Sequence, residues 1–137
     1  MNPGFSSRIF KCLTQDGRNV KLVDDVDYLS LLNGALKGRR FRLKRGTSSD
    51  GASTPAIIHS IYPPTGEYWP AAFFHDAVYH GVLHEVLPDL TDVPKKLSKE
   101  DGDHLLREAI LACGCSEETA EAFYVGVRDC GASSYKP

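Results

Sequence analysis

The fold of this chain is decided by the stretch Tyr68-Trp69-Pro70-Ala71-Ala72-Phe73-Phe74-His75-Asp76-Ala77-Val78-Tyr79, which predicts a single helix. Pro70 suits the first turn of a helix, because the N–H that proline lacks would have no partner there. His75 and Tyr79 are one helical turn apart and therefore share a face. Apolar side chains cover most of the remaining surface, so we expect the helix to be buried on more than one side.

The dipeptide His75-Asp76 is the anomaly of this helix, because both side chains are polar in an apolar setting. Burying a charged group is costly unless it is paired and hydrogen-bonded. Both side chains therefore need partners, and those partners are either structural or catalytic.

The composition is that of one globular domain, covering residues 1–137. The formal net charge is −2, so the chain offers no strongly basic surface and no nucleic-acid partner is expected. No segment approaches the ~20 apolar residues of a membrane span. The N-terminal residues lack the apolar core of a signal peptide, which predicts synthesis in a cytoplasm.

The four cysteines are unevenly spread, at Cys12, Cys113, Cys115 and Cys130. They lack the second Cys-x-x-Cys pair of a zinc ribbon, which favours reduced, buried thiols. A bridge between Cys113 and Cys130 is conceivable after export, since both would lie at the ends of successive helices. The sequence does not decide their disulfide state.

The N-terminal half is predicted to be rich in β structure. Residues 8–13 and 19–23 are typical of two strands, and Asp16-Gly17 between them favours a tight turn. Residues 39–45 alternate basic with apolar side chains, as a strand with one buried face does. The basic face could meet phosphate head groups, or the segment could be a solvated edge strand protected by positive charge.

Two later segments are predicted to be irregular. The polar loop of residues 46–55 contains Asp50-Gly51, a step that favours a turn with exposed carbonyl oxygens. Such oxygens suit a hard cation such as calcium. Residues 80–96 contain Pro88 and Pro94 and are expected to form an exposed excursion between two helices.

Two more helices are predicted near the C-terminus. Ser98 begins the first with a pattern like a capping box, and Gly114 ends it. Gly102 within its first turns permits close approach of another backbone. Ser116 caps the last helix. We therefore expect an α+β fold, in which a small β-rich N-terminal half packs on about three C-terminal helices.

The polar residues of these helices can be combined into a hydrolytic site. His75 would be the general base, Asp103 would fix its tautomer, and Tyr79 would hydrogen-bond Asp103. Asp76 points about 100° away around the helix, so it is free to hold calcium beside the Asp50-Gly51 loop. The cation would polarise an ester carbonyl and stabilise the oxyanion.

A local resemblance to phospholipase A2 enzymes is carried by His75-Asp76-x-x-Tyr79 and Gly102-Asp103-x-x-Leu106. The short viral and prokaryotic forms are the most similar. The resemblance implies a phospholipid substrate, a His–Asp catalytic pair and a calcium ion. The chain departs from the pattern, because Gly102 stands where alanine is usual, Phe74 replaces a cysteine, and no calcium loop of that type precedes the helix.

A second and more specific resemblance spans residues 39–131. The segment Asp50-Gly-Ala-Ser-x-Pro55, the His75 helix and Val127-Arg128…Gly131 together resemble an uncharacterised family of tailed phages and prophages, DUF1353. The resemblance implies a phage origin and a virion or tail-associated role. It brings no activity with it.

Three functions are compatible with these patterns. The first is a phage-encoded, phospholipase A2-like esterase that uses His75 and Asp103. The second is a non-enzymatic virion protein, bound to tail or baseplate proteins, in which the pair is a packing network. The third is a metal phosphohydrolase with His59, His75, Asp76 and Asp103 as ligands, although the predicted strands argue against its all-helical fold. The expected location is the host cytoplasm at synthesis and, for the second function, the virion.

Overall fold

The computed structural model describes residues 4–5, 11–13, 20–30, 36–49, 69–130 and 135–136. In these ranges the strands are β1 (Gly4–Phe5), β2 (Lys11–Leu13), β3 (Val20–Leu22), β4 (Val26–Leu29), β5 (Arg40–Leu43), β6 (Ser48–Ser49), β7 (His84–Val86) and β8 (Asp92–Pro94). The helices are α1 (Trp69–His80), α2 (Lys99–Ala112) and α3 (Glu117–Cys130). The predicted α+β class is confirmed. Within the same ranges, no helix is long and apolar enough to cross a membrane.

The strands form two antiparallel sheets. The larger sheet has the order β1-β4-β5-β7-β8, and the smaller has the order β2-β3-β6. The predicted strand pair near the N-terminus is confirmed as β2 and β3, which pair from Lys11–Leu22 to Leu13–Val20. The predicted turn at Asp16-Gly17 lies outside the described residues.

Strand β5 lies inside the larger sheet, between β4 and β7. Phe41 and Leu43 are buried, whereas Arg40 and Arg42 lie on the opposite face, as the alternation of the sequence predicts. The interpretation of this segment as an edge strand is wrong, because β7 pairs with the side of β5 that β4 leaves open.

The prediction of an irregular excursion over residues 80–96 is also wrong. These residues form the β7–β8 hairpin, and Val86 on β7 pairs with Arg40 on β5. Pro88 lies in the hairpin turn, and Pro94 is the last residue of β8, the outermost strand. At both positions the N–H that proline lacks is not needed for a hydrogen bond between strands, so the prolines do not prevent strand pairing.

The tip of this hairpin has an unusual backbone. Leu90 has a φ of 70°, in the left-handed region that residues with a Cβ rarely adopt. Its N–H donates to the carbonyl of Leu87 at 2.9 Å, and Asp89 accepts the hydroxyl of Thr91 at 2.6 Å. These bonds hold the turn and leave the Leu90 side chain 79% exposed.

Aromatic side chains join α1 to the larger sheet. The ring of Phe74 lies 5.1 Å from the ring of Tyr28 and 6.2 Å from that of Phe41. Phe5 on β1 packs 4.9 Å from Tyr28. This packing commits one side of α1 to the sheet, and the neighbouring side, which carries His75, faces α2.

Helix α2 begins as the sequence predicts and approaches α1 closely. Ser98 caps it by accepting a hydrogen bond from the N–H of Asp101 at 3.1 Å. A Cβ atom added at Gly102 would lie 2.7 Å from Cγ1 of Val78 on α1, closer than real contacts allow. The missing side chain at Gly102 therefore lets the two helices pack directly against each other.

We predict that Gly102→Ala lowers the free energy of unfolding by about 1–3 kcal/mol, the usual cost of overpacking a filled core. At a solvent-exposed position in a helix, Gly→Ala instead stabilises by about 0.5–1 kcal/mol. A loss of stability in Gly102→Ala would therefore indicate that the added methyl group collides with Val78. Val78 is β-branched and buried, so it cannot easily turn aside.

Urea unfolding of Gly102→Ala, Val78→Ala and the double variant measures this effect. The double variant should be less destabilised than the sum of the single changes, because Val78→Ala makes room for the new methyl group. Strictly additive losses would contradict the contact.

Candidate functional site

His75 and Asp103 form a buried pair where α1 and α2 pack together. Nε2 of His75 lies 2.8 Å from Oδ1 of Asp103, and neither side chain is exposed to solvent. The close approach at Gly102, one residue before Asp103, brings the two helices near enough for this contact. The contact that the sequence predicts between a distant imidazole and carboxylate is therefore present.

Asp103 accepts hydrogen bonds from four side chains. Its Oδ1 receives Nε2 of His75 and also the hydroxyl of Tyr79, the latter at 2.6 Å. Its Oδ2 receives Nζ of Lys99 at 2.8 Å and Nη1 of Arg128 at 3.0 Å. Lys99 also donates to a backbone carbonyl of α3 at 2.8 Å. Helices α1, α2 and α3 thus meet at one carboxylate.

These donors keep Asp103 ionised. Burial acts to raise its pKa, but hydrogen bonds from His75, Lys99 and Tyr79 outweigh burial and lower the pKa to about 2. An ionised carboxylate can only accept hydrogen bonds, so the proton between the two groups belongs to Nε2 of His75.

His75 is held as a neutral imidazole with a defined tautomer. Burial lowers its pKa below the ordinary value, although the carboxylates of Asp103 and Asp76 act to raise it; Lys99 acts in the same direction as burial. When Nε2 carries the only ring proton, Nδ1 carries a free lone pair. Nδ1 is therefore the atom that can accept a proton from a reactant.

Two buried polar atoms have no hydrogen-bond partner within the described ranges, namely Nδ1 of His75 and Oδ1 of Asp76. Nε2 of His80 lies 3.2 Å from the same Asp76 oxygen, which is within ion-pair distance but not aligned for a hydrogen bond. Buried polar atoms are paired in the great majority of native proteins. A water, an ion or a reactant at these two atoms would complete their hydrogen bonding.

The pair is closed to bulk solvent in this conformation. His75 and Asp103 are fully buried, and Asp76 is 3% exposed. Tyr79 is covered in turn by Tyr135, whose ring packs edge-on at 5.4 Å. A reactant could reach Nδ1 only after covering side chains move.

The structure brings together three of the predicted site residues, His75, Asp103 and Tyr79. Asp76 follows His75 on α1, and its charge is close enough to act on the pKa of His75. The other two predicted calcium ligands, Asp50 and Gly51, lie outside the described residues.

The predictions about other metal ligands and the cysteines have mixed outcomes. His59, a ligand in the phosphohydrolase hypothesis, lies outside the described residues. In the part of the chain that the structure describes, no three His, Cys, Asp or Glu side chains cluster closely enough to hold a metal. Cys113 and Cys115 are half-buried. The side chains of Cys12 and Cys130 lie outside what the structure describes.

Lys99 and Arg128 are site residues that the sequence analysis missed. Lys99 had a local signal, because it lies four residues before Asp103 on the same helix face. Arg128 had none as a partner of Asp103, because only the packing of α3 on α2 brings its guanidinium to that carboxylate.

Comparison with known families gives one match. A family model described as "Protein of unknown function (DUF1353)" matches residues 21–127, most of the chain. The match confirms the resemblance to that family. No curated protein and no solved structure matches the chain.

Asp103 is predicted to make the fold sensitive to acid. Because its folded pKa, about 2, lies below the ordinary carboxyl value, its contribution is present above about pH 4 and is lost as the pH falls toward 2. Asp103→Asn should flatten this pH dependence and lower stability at neutral pH, because Lys99 and Arg128 lose their ion pair. Urea unfolding between neutral pH and about pH 2 measures the effect, with the exposed Asp129→Asn as control. An acid loss as steep in Asp103→Asn as in the wild type would contradict the assignment.

Arg128→Gln is predicted to lower the free energy of unfolding by about 1–2 kcal/mol, toward the low end for hydrogen bonds to a charged group because the guanidinium is partly exposed. Arg107→Gln is the matched control, since Arg107 forms an exposed pair with Glu121 at 3.0 Å and should cost less than about 0.5 kcal/mol. Equal losses in the two variants would mean that the Asp103 contact is no stronger than a surface ion pair.

Proposed function

The chain belongs to the DUF1353 family, and we propose that it hydrolyses carboxylic esters, with His75 as general base and Asp103 as the residue that orients it. The local resemblance to phospholipase A2 favours phospholipid as the substrate class. The observation that carries the proposal is that Nδ1 of His75 is buried without a hydrogen-bond partner in the described ranges, while Nε2 of the same ring lies 2.8 Å from the carboxylate of Asp103.

Water is the nucleophile in the proposed reaction. Nδ1 of His75 removes a proton from water while the water oxygen bonds to the ester carbonyl carbon, and Asp103 stabilises the imidazolium that forms. The tetrahedral intermediate then breaks its bond to the leaving alkoxide, which takes the proton back from Nδ1. The products are a carboxylic acid and an alcohol, and His75 is restored.

Three side chains support this role without touching the reactant. The Tyr79 hydroxyl, Lys99 and Arg128 all donate to Asp103 and hold its carboxylate in one orientation. The two cations also make protonation of Asp103 unfavourable. The proton taken from water therefore stays on the imidazole, from which it can be delivered to the leaving group.

We propose Asp76 as one ligand of a divalent cation, and calcium is the ion that the phospholipase resemblance implies. Oδ1 of Asp76 is a buried, hard oxygen ligand without a hydrogen-bond partner in the described ranges. One carboxylate does not complete a site, and Asp50 and Gly51 stay predicted ligands. A bound cation would supply electrostatic stabilisation of the oxyanion.

The complete burial of His75 and Asp103 favours a second candidate function, which is structural. In that case the carboxylate and its donors would be a polar network that fixes how three helices pack. The motif resemblance to phage and prophage proteins would make such a protein a virion component, with tail or baseplate proteins as its partners.

The hydrolase proposal predicts release of free fatty acid from phosphatidylcholine vesicles in the presence of calcium. His75→Gln should lower the rate by about 10²–10⁴-fold, the range for loss of a general base. His104→Gln is the matched control, because His104 is an exposed histidine on α2, and its rate should equal that of the wild type. Asp76→Asn should require more calcium to reach the same rate.

Two results separate the candidates. Equal rates for wild type and His75→Gln, on phospholipid and on a soluble short-chain ester, would sink the hydrolase proposal. If His75→Gln then proved strongly destabilised in urea and the wild type bound tail or baseplate proteins, the structural candidate would be supported.

A further inference from the structure

A groove on the larger sheet has chemistry that the proposed hydrolase does not use. Its volume is about 780 Å³, within the range of roughly 300–1,000 Å³ that is usual for small-molecule sites. Arginine and carboxylate side chains of β4 and β5 line one part of it, and the β7–β8 turn lines another. The residues that decide its chemistry are Asp27, Arg40, Arg42, Leu87, Pro88 and Leu90.

Of the three arginines among the described residues that line the groove, two bond a carboxylate closely and Arg40 does not. Arg42 bonds both oxygens of Asp27, at 2.7 and 3.1 Å, and Arg39 bonds both oxygens of Glu85 at 2.7 Å. Arg40 approaches Asp27 only to 3.8 Å, and its side chain is 46% exposed. Each carboxylate that lines the groove is thus held at two points by an arginine other than Arg40. The guanidinium of Arg40 is available to a further anion.

The hairpin turn gives the same groove an apolar part. Leu87, Pro88 and Leu90 line it, and Leu90 is the most exposed large apolar side chain among the described residues. Leu90 is also held at a φ of 70°, where glycine or asparagine would be more favourable. An exposed leucine in a strained backbone position is costly for solubility and for folding, and such strain concentrates at ligand sites.

We propose that this groove binds a small amphiphilic anion, whose carboxylate or phosphate head meets Arg40 and whose apolar chain packs on Leu87, Pro88 and Leu90. A guanidinium pairs with either head group through two parallel hydrogen bonds, so the shared chemistry is an oxyanion joined to an apolar chain. The strained turn holds Leu90 at the groove beforehand, which reduces the ordering that binding requires.

This site is independent of the His75 pair. Phe41 and Leu43 face the core toward the helices, and Arg40 and Arg42 alternate with them on the other face of β5. The part of the groove that carries Arg40 and Arg42 therefore lies on the face of β5 opposite to the one that packs against α1. Its ligand binding can be measured whether or not the protein hydrolyses esters.

Titration of the full chain with octanoate, octyl phosphate and octanol, followed by amide chemical shifts, tests the proposal. Saturable shifts at Arg40 and Leu90 are expected for at least one anion, and octanol should bind at least about tenfold more weakly, because it has the chain without the charge. The tighter of the two anions identifies the preferred head group.

Two variants and two matched controls locate the binding. Arg40→Gln and Leu90→Asn should each weaken it by about tenfold or more, whereas Arg45→Gln and Val125→Asn change an exposed charge and an exposed apolar residue outside the groove and should not. Leu90→Asn should be at least as stable as the wild type in urea, since asparagine tolerates a positive φ, so its loss of binding cannot be attributed to unfolding. Absence of saturable binding, equal binding of octanol, or equal binding by Arg40→Gln would overturn the proposal.

Discussion

The structure depends on one buried carboxylate on which three helices converge. Asp103 on α2 receives His75 and Tyr79 from α1, Lys99 from its own helix and Arg128 from α3. A buried charge left without partners destabilises a fold by several kcal/mol. If one of these helices moved away, the buried carboxylate would lose a hydrogen-bond donor and the fold would be destabilised. The arrangement is possible only because Gly102 lacks a side chain where Val78 presses against α2.

The same interaction determines which nitrogen of His75 can act as a base. Hydrogen bonds from His75, Lys99 and Tyr79 keep Asp103 ionised. The ionised carboxylate fixes the ring proton on Nε2 of His75, and burial keeps the ring neutral. The result is a base nitrogen with no hydrogen-bond partner inside the described ranges, and Oδ1 of Asp76, one residue later, also lacks a hydrogen bond there although His80 lies at ion-pair distance. In a network that only joins helices, every buried polar atom is expected to have a hydrogen-bond partner, because an unpaired one destabilises the fold. The unpaired atoms therefore favour a functional role. The complete burial of His75 and Asp103 favours a structural role instead. If the protein is a hydrolase, the side chains that cover the pair must move before an ester can reach it.

Much of the helical half could be predicted from the sequence, because its signals are local. Ser98 caps α2, Gly114 follows it at a φ of 85°, and Ser116 caps α3. The contact between His75 and Asp103 was predictable because a buried polar pair needs partners, and Gly102 marked the close approach.

What the sequence did not reveal depends on long-range packing. Strands β7 and β8 have three residues each, Pro88 lies in the turn between them and Pro94 is the last residue of β8, so the composition of the segment resembles that of a loop. Only pairing with β5 makes it a hairpin and converts β5 from an apparent edge into an inner strand. Arg128 joins the site through the packing of α3, which no local pattern encodes. The loop that contains Asp50 and Gly51 lies outside the described residues, so the calcium prediction rests on Asp76.

The protonation state of the His75 ring tests the central claim most directly, and ¹⁵N NMR of the imidazole nitrogens measures it. Between pH 6 and pH 8, around the ordinary histidine pKa of about 6.5, the account predicts a neutral ring with its proton on Nε2 and none on Nδ1. Asp103→Asn should remove this fixed preference. A proton on Nδ1, or a doubly protonated ring at neutral pH, would contradict the account, because Nδ1 would then have no lone pair with which to accept a proton from water.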